Sequence, residues 1–201
     1  DTAGTTQVAS DGDLVRRWDD KSVSGWDLSD ATRPPAYKTG RLNALPGIYF
    51  DGGDLLQKTG VDLLDIASSQ GITIFAVFNQ AASQTNNSLI SWQAGVSNRL
   101  VVHATYAGDI YWDAFDIWDG RVIVSEPAGW DDTYHIMQFA RDGANSEVVS
   151  DGVSLGSRTD SSGSLVTGTQ SLIRASASGI NLKGDICEFL IYNAGLSSDD
   201  I

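Results

Sequence analysis

Apolar residues fall at alternate positions along most of this chain, the period of a half-buried β-strand rather than of a helix. Ile72, Ile74, Ala76 and Phe78 share one face of a strand predicted over 72–78, with Thr73, Phe75 and Val77 on the other. A strand apolar on both faces belongs in the middle of a sheet. Similar runs are predicted at 88–92, 99–104, 109–115, 121–124, 134–140, 147–150 and 171–174. Asp119-Gly120, Asp142-Gly143 and Asp151-Gly152 separate several of them with hairpin chemistry. The final run sets Ile186, Glu188, Leu190 and Tyr192 against Cys187, Phe189 and Ile191, and again reads as nearly apolar on both faces. One short helix is predicted, at 61–68, and residues 80–87 and 157–168 read as loops. Ser197 or Ser198 has the look of a second helix cap, with the sequence stopping where that helix should start. The expectation is therefore all-β: one two-sheet antiparallel jelly-roll sandwich over residues 1–201, with at most one short helix, taken from a longer chain.

Four segments, in order, carry a family resemblance. They are Val15-Arg-Arg-Trp-Asp-Asp-Lys-Ser-Val-Ser-Gly-Trp-Asp-Leu with Arg33-Pro-Pro-Ala-Tyr, Ile48-Tyr-Phe-Asp-Gly-Gly-Asp-Leu-Leu, Tyr134-His-Ile-Met-Gln-Phe-Ala-Arg-Asp-Gly with Val149-Ser-Asp-Gly-Val-Ser-Leu-Gly, and Gly184-Asp-Ile-Cys-Glu-Phe-Leu-Ile-Tyr-Asn. The set resembles the concanavalin A-like, laminin-G-like jelly-roll domains and spans nearly the whole chain. That resemblance speaks to fold more than to function, because the same sandwich serves lectins, adhesion modules, glycan-active enzymes and virion proteins. It implies that Trp18 and Trp26, in the opening segment, are core residues. It also raises the expectation of bound calcium.

Composition narrows the partners. The 201 residues, 41% hydrophobic, are enough for a sizeable core in one domain. A formal charge of −13 repels phosphate backbones and anionic lipid, so neither nucleic acid nor membrane binding is expected. No apolar run approaches the roughly eighteen residues that would span a bilayer. The lone cysteine, Cys187, lies in an apolar strand and reads as a buried, inert thiol. His103 and His135 fall in apolar runs and read as packed strand residues.

Catalytic signals are weak. Glycan-cleaving relatives of this fold carry carboxylates at alternate strand positions, which places nucleophile and acid on one face. Here the only glutamates are Glu126, Glu147 and Glu188, far apart, and Asp113, Asp116 and Asp119 are three apart. Glu188 reads as a structural residue of its strand. Calcium takes six to eight oxygens from acidic, glycine-rich loops, and Asp51-Gly-Gly-Asp54 offers such a loop, with Asp185 as a further candidate ligand.

For sugar binding, an aromatic face beside polar groups is the useful combination. Tyr111, Trp112, Trp118 and Trp130, with Asp116 and the neighbouring Tyr106, are the candidate ligand contacts. Trp118 and Trp130 stand out because acids flank both in loops. The sequence thus points to a non-catalytic surface module, extracellular or on a virion. Its acidic charge and truncated look favour a structural, decoration or adhesion component of a phage particle, with glycan or neighbouring subunits as partners. The alternative is a carbohydrate-binding module of a secreted bacterial protein.

Overall fold

The computed structural model describes residues 6–61, 71–93, 99–116, 118–162, 172–175 and 180–196. The chain opens with β1 (Arg17–Trp18), β2 (Leu28–Ser29), β3 (Ala36–Leu42), β4 (Leu45–Asp51) and β5 (Leu56–Thr59). It continues through β6 (Gly71–Gln80), β7 (Asn86–Gln93), β8 (Arg99–Tyr106), β9 (Asp109–Phe115) and β10 (Arg121–Ser125). β11 (Tyr134–Asp142), β12 (Asn145–Ser150), β13 (Val153–Arg158), β14 (Leu172–Ala175) and β15 (Lys183–Tyr192) complete it. Among the described residues these strands form an eight-stranded sheet, β1-β2-β5-β14-β7-β8-β9-β10, facing a seven-stranded sheet, β13-β12-β11-β6-β15-β4-β3. All pairings between strands are antiparallel. The fold is the expected all-β sandwich. The predicted helix at 61–68 and the cap at 197 lie almost wholly outside the described residues, and among the described ones no helix is long and apolar enough to cross a membrane.

Alternation explains the layers. Ile72, Ile74, Ala76 and Phe78 of β6 point between the sheets and are buried, as their spacing predicts. On the facing sheet, Leu100, Val102, Ala104, Ile110, Trp112 and Ala114 do the same. Tyr111 and Trp112 are adjacent on one strand and so must look to opposite faces. Trp112 is 0% exposed and stands 6.0 Å from Phe139 of the opposite sheet. Its Nε1 donates to the Ala140 carbonyl at 3.1 Å, which satisfies the one polar atom of a buried indole.

β15 departs from simple alternation. Its register against β6 shifts between Ile186 and Glu188, so Cys187 is an inserted bulge residue. Ile186 is buried before the bulge; after it, Phe189 and Ile191 turn to the core while Glu188, Leu190 and Tyr192 are exposed. A strand apolar on both faces in sequence is in fact apolar on one face, then on the other. The bulge also leaves Cys187 only half-buried, not enclosed as its apolar neighbours suggest. Burial, and secondarily the charge of Asp185, raises the thiol above its ordinary pKa, so it is a poor thiolate.

The β3–β4 hairpin turns at Asn43 and Ala44, both at positive φ (50° and 63°). Asn-Ala is a less usual choice for this turn than Asn-Gly, and the sequence pattern did not mark it. The free edge of β3 is covered by residues 12–15. Gly12 donates to the Tyr37 carbonyl, Tyr37 to that of Asp13, and Val15 to that of Pro35, each at 2.8 Å.

Candidate functional site

The described residues of the loop joining β9 to β10 are closely held by hydrogen bonds yet exposed. Phe115 closes β9 in a left-handed conformation, φ 78°, which is strained for a bulky residue and throws the chain sharply out of the sheet. Asp116 Oδ1 then accepts the backbone N–H groups of Trp118 (2.6 Å) and Asp119 (3.2 Å), closing an Asx turn. Gly120 brings the chain back so closely that a Cβ there would sit 2.0 Å from the Ala114 carbonyl oxygen. From the neighbouring sheet, Arg158 Nη1 donates to the Trp118 carbonyl (3.0 Å), and Ser162 N donates to that of Asp119 (3.2 Å). Arg141, nearly fully buried, anchors the base of the loop. Its guanidinium donates to the carbonyls of Ala114 (2.7 Å), Gly143 (2.9 Å) and Ser161 (3.3 Å) and lies over the Phe115 ring. On this braced turn the Trp118 side chain stands 75% exposed.

The residues named from sequence divide between surroundings. Asp116 and Trp118 share the loop, with Asp116 acting chiefly to shape it. Trp112 and Trp130 are corrected: both are core. Trp130 is 1% exposed because the 127–130 turn, closed by Trp130 N donating to the Pro127 carbonyl, folds the indole inward. There it packs edge-on to Phe78 and stacks on His135, ring centroids 4.0 Å apart.

Tyr111 lies on the outer face of the eight-stranded sheet with His103 and Tyr106, their ring centroids about 6 Å apart. Arg121 covers its ring at 5.1 Å. Beside it Asp113, fully buried, accepts from both Arg99 and Arg121. Arg121 is held protonated more firmly than usual by that hydrogen bond. His103 bonds Ser88 Oγ through Nδ1 at 2.5 Å, and burial pushes its pKa down to about 4, so it is neutral at physiological pH. With Asp113 committed to two guanidiniums, it does not orient His103 as a catalytic triad requires.

The calcium grouping is also corrected. Asp185 is buried on the outer face of the seven-stranded sheet, where Arg41 donates to it twice at 2.9 Å and the Tyr134 hydroxyl once at 3.0 Å. Its oxygens are engaged by a guanidinium that a cation would have to displace. Asp51 and Asp54 do lie together in their turn, with Asp51 N donating to Asp54 Oδ2 at 2.9 Å. Among the described residues no three acidic, histidine or cysteine side chains gather to hold a metal ion.

Asp54 nevertheless carries a measurable signature. Burial first, then the charge of Asp51, pushes its carboxyl up to about 6. The unfolded chain therefore loses this proton earlier as pH rises, and the fold loses stability between about pH 4 and 6. Asp54→Asn keeps the acceptor for Asp51 N–H. It should raise stability by about 1 kcal/mol at pH 7, the shift being discounted for solvent screening, and leave it unchanged at pH 4. Equal melting-temperature changes at both pH values would contradict the assignment.

No protein-family model matches the chain, and no curated protein matches it in sequence. Solved structures do match in fold. Domain 4 of AbnA, an extracellular arabinanase from Geobacillus stearothermophilus, in complex with arabinotriose, superposes with a TM-score of 0.60 at 16% identity. That match covers 83% of this chain and 78% of the other. The binding domain of botulinum neurotoxin serotype D matches at 0.62 and 11% identity, over 93% of this chain and 49% of the other. The CBM40 domain of the Ruminococcus gnavus IT-sialidase, bound to α2,3-sialyllactose, matches at 0.55 and 12% identity, over 77% and 93%. At such identities the likeness concerns fold. The chain is an all-β antiparallel sandwich similar to the concanavalin A-like lectin folds.

Proposed function

We propose that this protein is a non-catalytic carbohydrate-binding module of a secreted bacterial protein, and that Trp118 is its sugar-stacking platform. The observation that carries the reading is a solvent-exposed indole on a loop that is strained at Phe115 and braced from the facing sheet by Arg158 and Arg141. Exposing the largest apolar side chain on a fixed support gains nothing for stability and suits a ligand that presents a flat apolar face, as a pyranose does. Pre-ordering of the loop lowers the entropy lost on binding. Fold neighbours solved with arabinotriose and with sialyllactose support this reading over the virion role. They also favour an extracellular setting.

A glycan array with the wild-type protein and Trp118→Ala tests it. Specific, saturable binding should fall on the order of 30-fold in the variant, the scale of an aromatic hot spot. Stability should stay within about 0.5 kcal/mol of wild type. Unchanged binding by Trp118→Ala, or no retained glycan at all, would refute the assignment.

A further inference from the structure

Away from the Trp118 loop, a cleft of about 410 Å³ opens between the N-terminal segment and the β3–β4–β15 side of the seven-stranded sheet. Its size falls in the range of roughly 300–1,000 Å³ typical of small-molecule sites. The half-buried rings of Trp18 and Tyr37 line it. The hydrogen bonds of residues 12–15 to β3 hold its outer wall in place.

The charge of this cleft is opposite to that of the molecule. In a chain of net −13, three cations line it, Arg16, Arg17 and Lys21, against one carboxylate, Asp19. Arg17 is engaged, donating to Asp19 at 2.7 Å and to Asp27 at 2.6 Å. Arg16 makes no ion pair among the described residues, and Lys21, almost fully exposed, reaches Asp19 only at 3.6 Å. Even with Asp27 counted, cations exceed carboxylates by one. A cationic recess in an acidic surface concentrates a small anion there, because the low-dielectric walls focus its field.

We propose that this cleft is a second ligand site and that it takes a carboxylate-bearing sugar residue. The ring lies against Trp18 and Tyr37, and the carboxylate faces Arg16 and Lys21. Aromatic walls match the apolar face of a pyranose, and the unpaired guanidinium offers the forked donors that a carboxylate prefers. The sugar identity rests on the glycan-binding reading above; the anion preference rests on the cleft alone.

Calorimetric titration with trigalacturonate, its fully methyl-esterified form and benzoate tests the proposal in wild type, Arg16→Gln/Lys21→Gln and Trp118→Ala. The acid should bind at least about tenfold more tightly than the ester, and added salt should weaken it. The Arg16/Lys21 variant should lose that preference with its melting temperature unchanged, while Trp118→Ala keeps it. Equal binding of acid and ester would overturn the proposal, as would wild-type acid binding by the Arg16/Lys21 variant. Benzoate binding as tightly as the acid would overturn the sugar assignment. Absence of acid binding, beside array hits that depend on Trp118, would remove the cleft and leave the module's proposed function standing. Acid binding lost only in Trp118→Ala would move the anion to the other loop and overturn the cleft.

Discussion

Replacing Trp130 with alanine should destabilise the protein by about 3–5 kcal/mol, the cost of emptying an indole-sized volume in a packed core. The ring is 1% exposed, wedged between Phe78 and a stacked His135, whose Nε2 also meets the Trp130 carbonyl at 3.2 Å. Its own Nε1 has no acceptor among the described residues, so the loss is one of packing and not of a hydrogen bond. Trp130→Phe should accordingly recover much of the stability, since the smaller ring leaves less void. Urea denaturation of the two variants measures this. A Trp130→Ala curve within about 0.5 kcal/mol of wild type would mean the ring is not a core element.

Trp130 and Trp118 show where local sequence stops being informative. Each lies in a loop with acids alongside, Asp131 and Asp132 in one case, Asp116 and Asp119 in the other, and nothing in either neighbourhood tells them apart. Their fates are decided at a distance. The 127–130 turn returns the first indole to Phe78, about fifty residues earlier in the chain. The strained Phe115 and the hydrogen bond from Arg158 hold the loop of the second clear of the core. Arg141, which pins that loop's base, reads in the sequence as an ordinary charged residue beside a hairpin turn.

The strand pattern was far more legible, because period-two alternation is a local property. β6 and the runs at β8, β9, β11 and β12 were readable for that reason. The two-residue strands β1 and β2 were not, since two residues cannot show a period, and β5 (Leu-Gln-Lys-Thr) carries only one apolar residue. The bulge at Cys187 was hidden as well: one inserted residue exchanges the faces of everything after it, and only the partner strand reveals the insertion.

The second large effect is expected at Asp113. Removing its carboxylate with Asp113→Ala should cost about 3 kcal/mol, because two partly buried guanidiniums, Arg99 and Arg121, would lose their shared counter-charge. The value sits at the low end for a broken buried pair because both arginines still reach water. Chemical denaturation reads it directly, and a loss below about 1 kcal/mol would place this group with ordinary surface ion pairs. The same substitution should free Arg121 from its place over the Tyr111 ring and loosen the Tyr106–Tyr111–His103 cluster. Tyrosine fluorescence would not resolve that beside six tryptophans, but aromatic proton shifts would.

The segment along β3 has a consequence for how the protein behaves in company. An uncovered strand edge is an invitation to any other strand with a compatible backbone, and its occupant need not come from the same molecule. Residues 12–15 fill that place with three main-chain hydrogen bonds and almost no ordered strand of their own. A protease that clips this stretch would draw Val15 out of the core and, in the same cut, leave the β3 edge open to a strand from another molecule, so an intact N-terminal ribbon guards against edge-to-edge association.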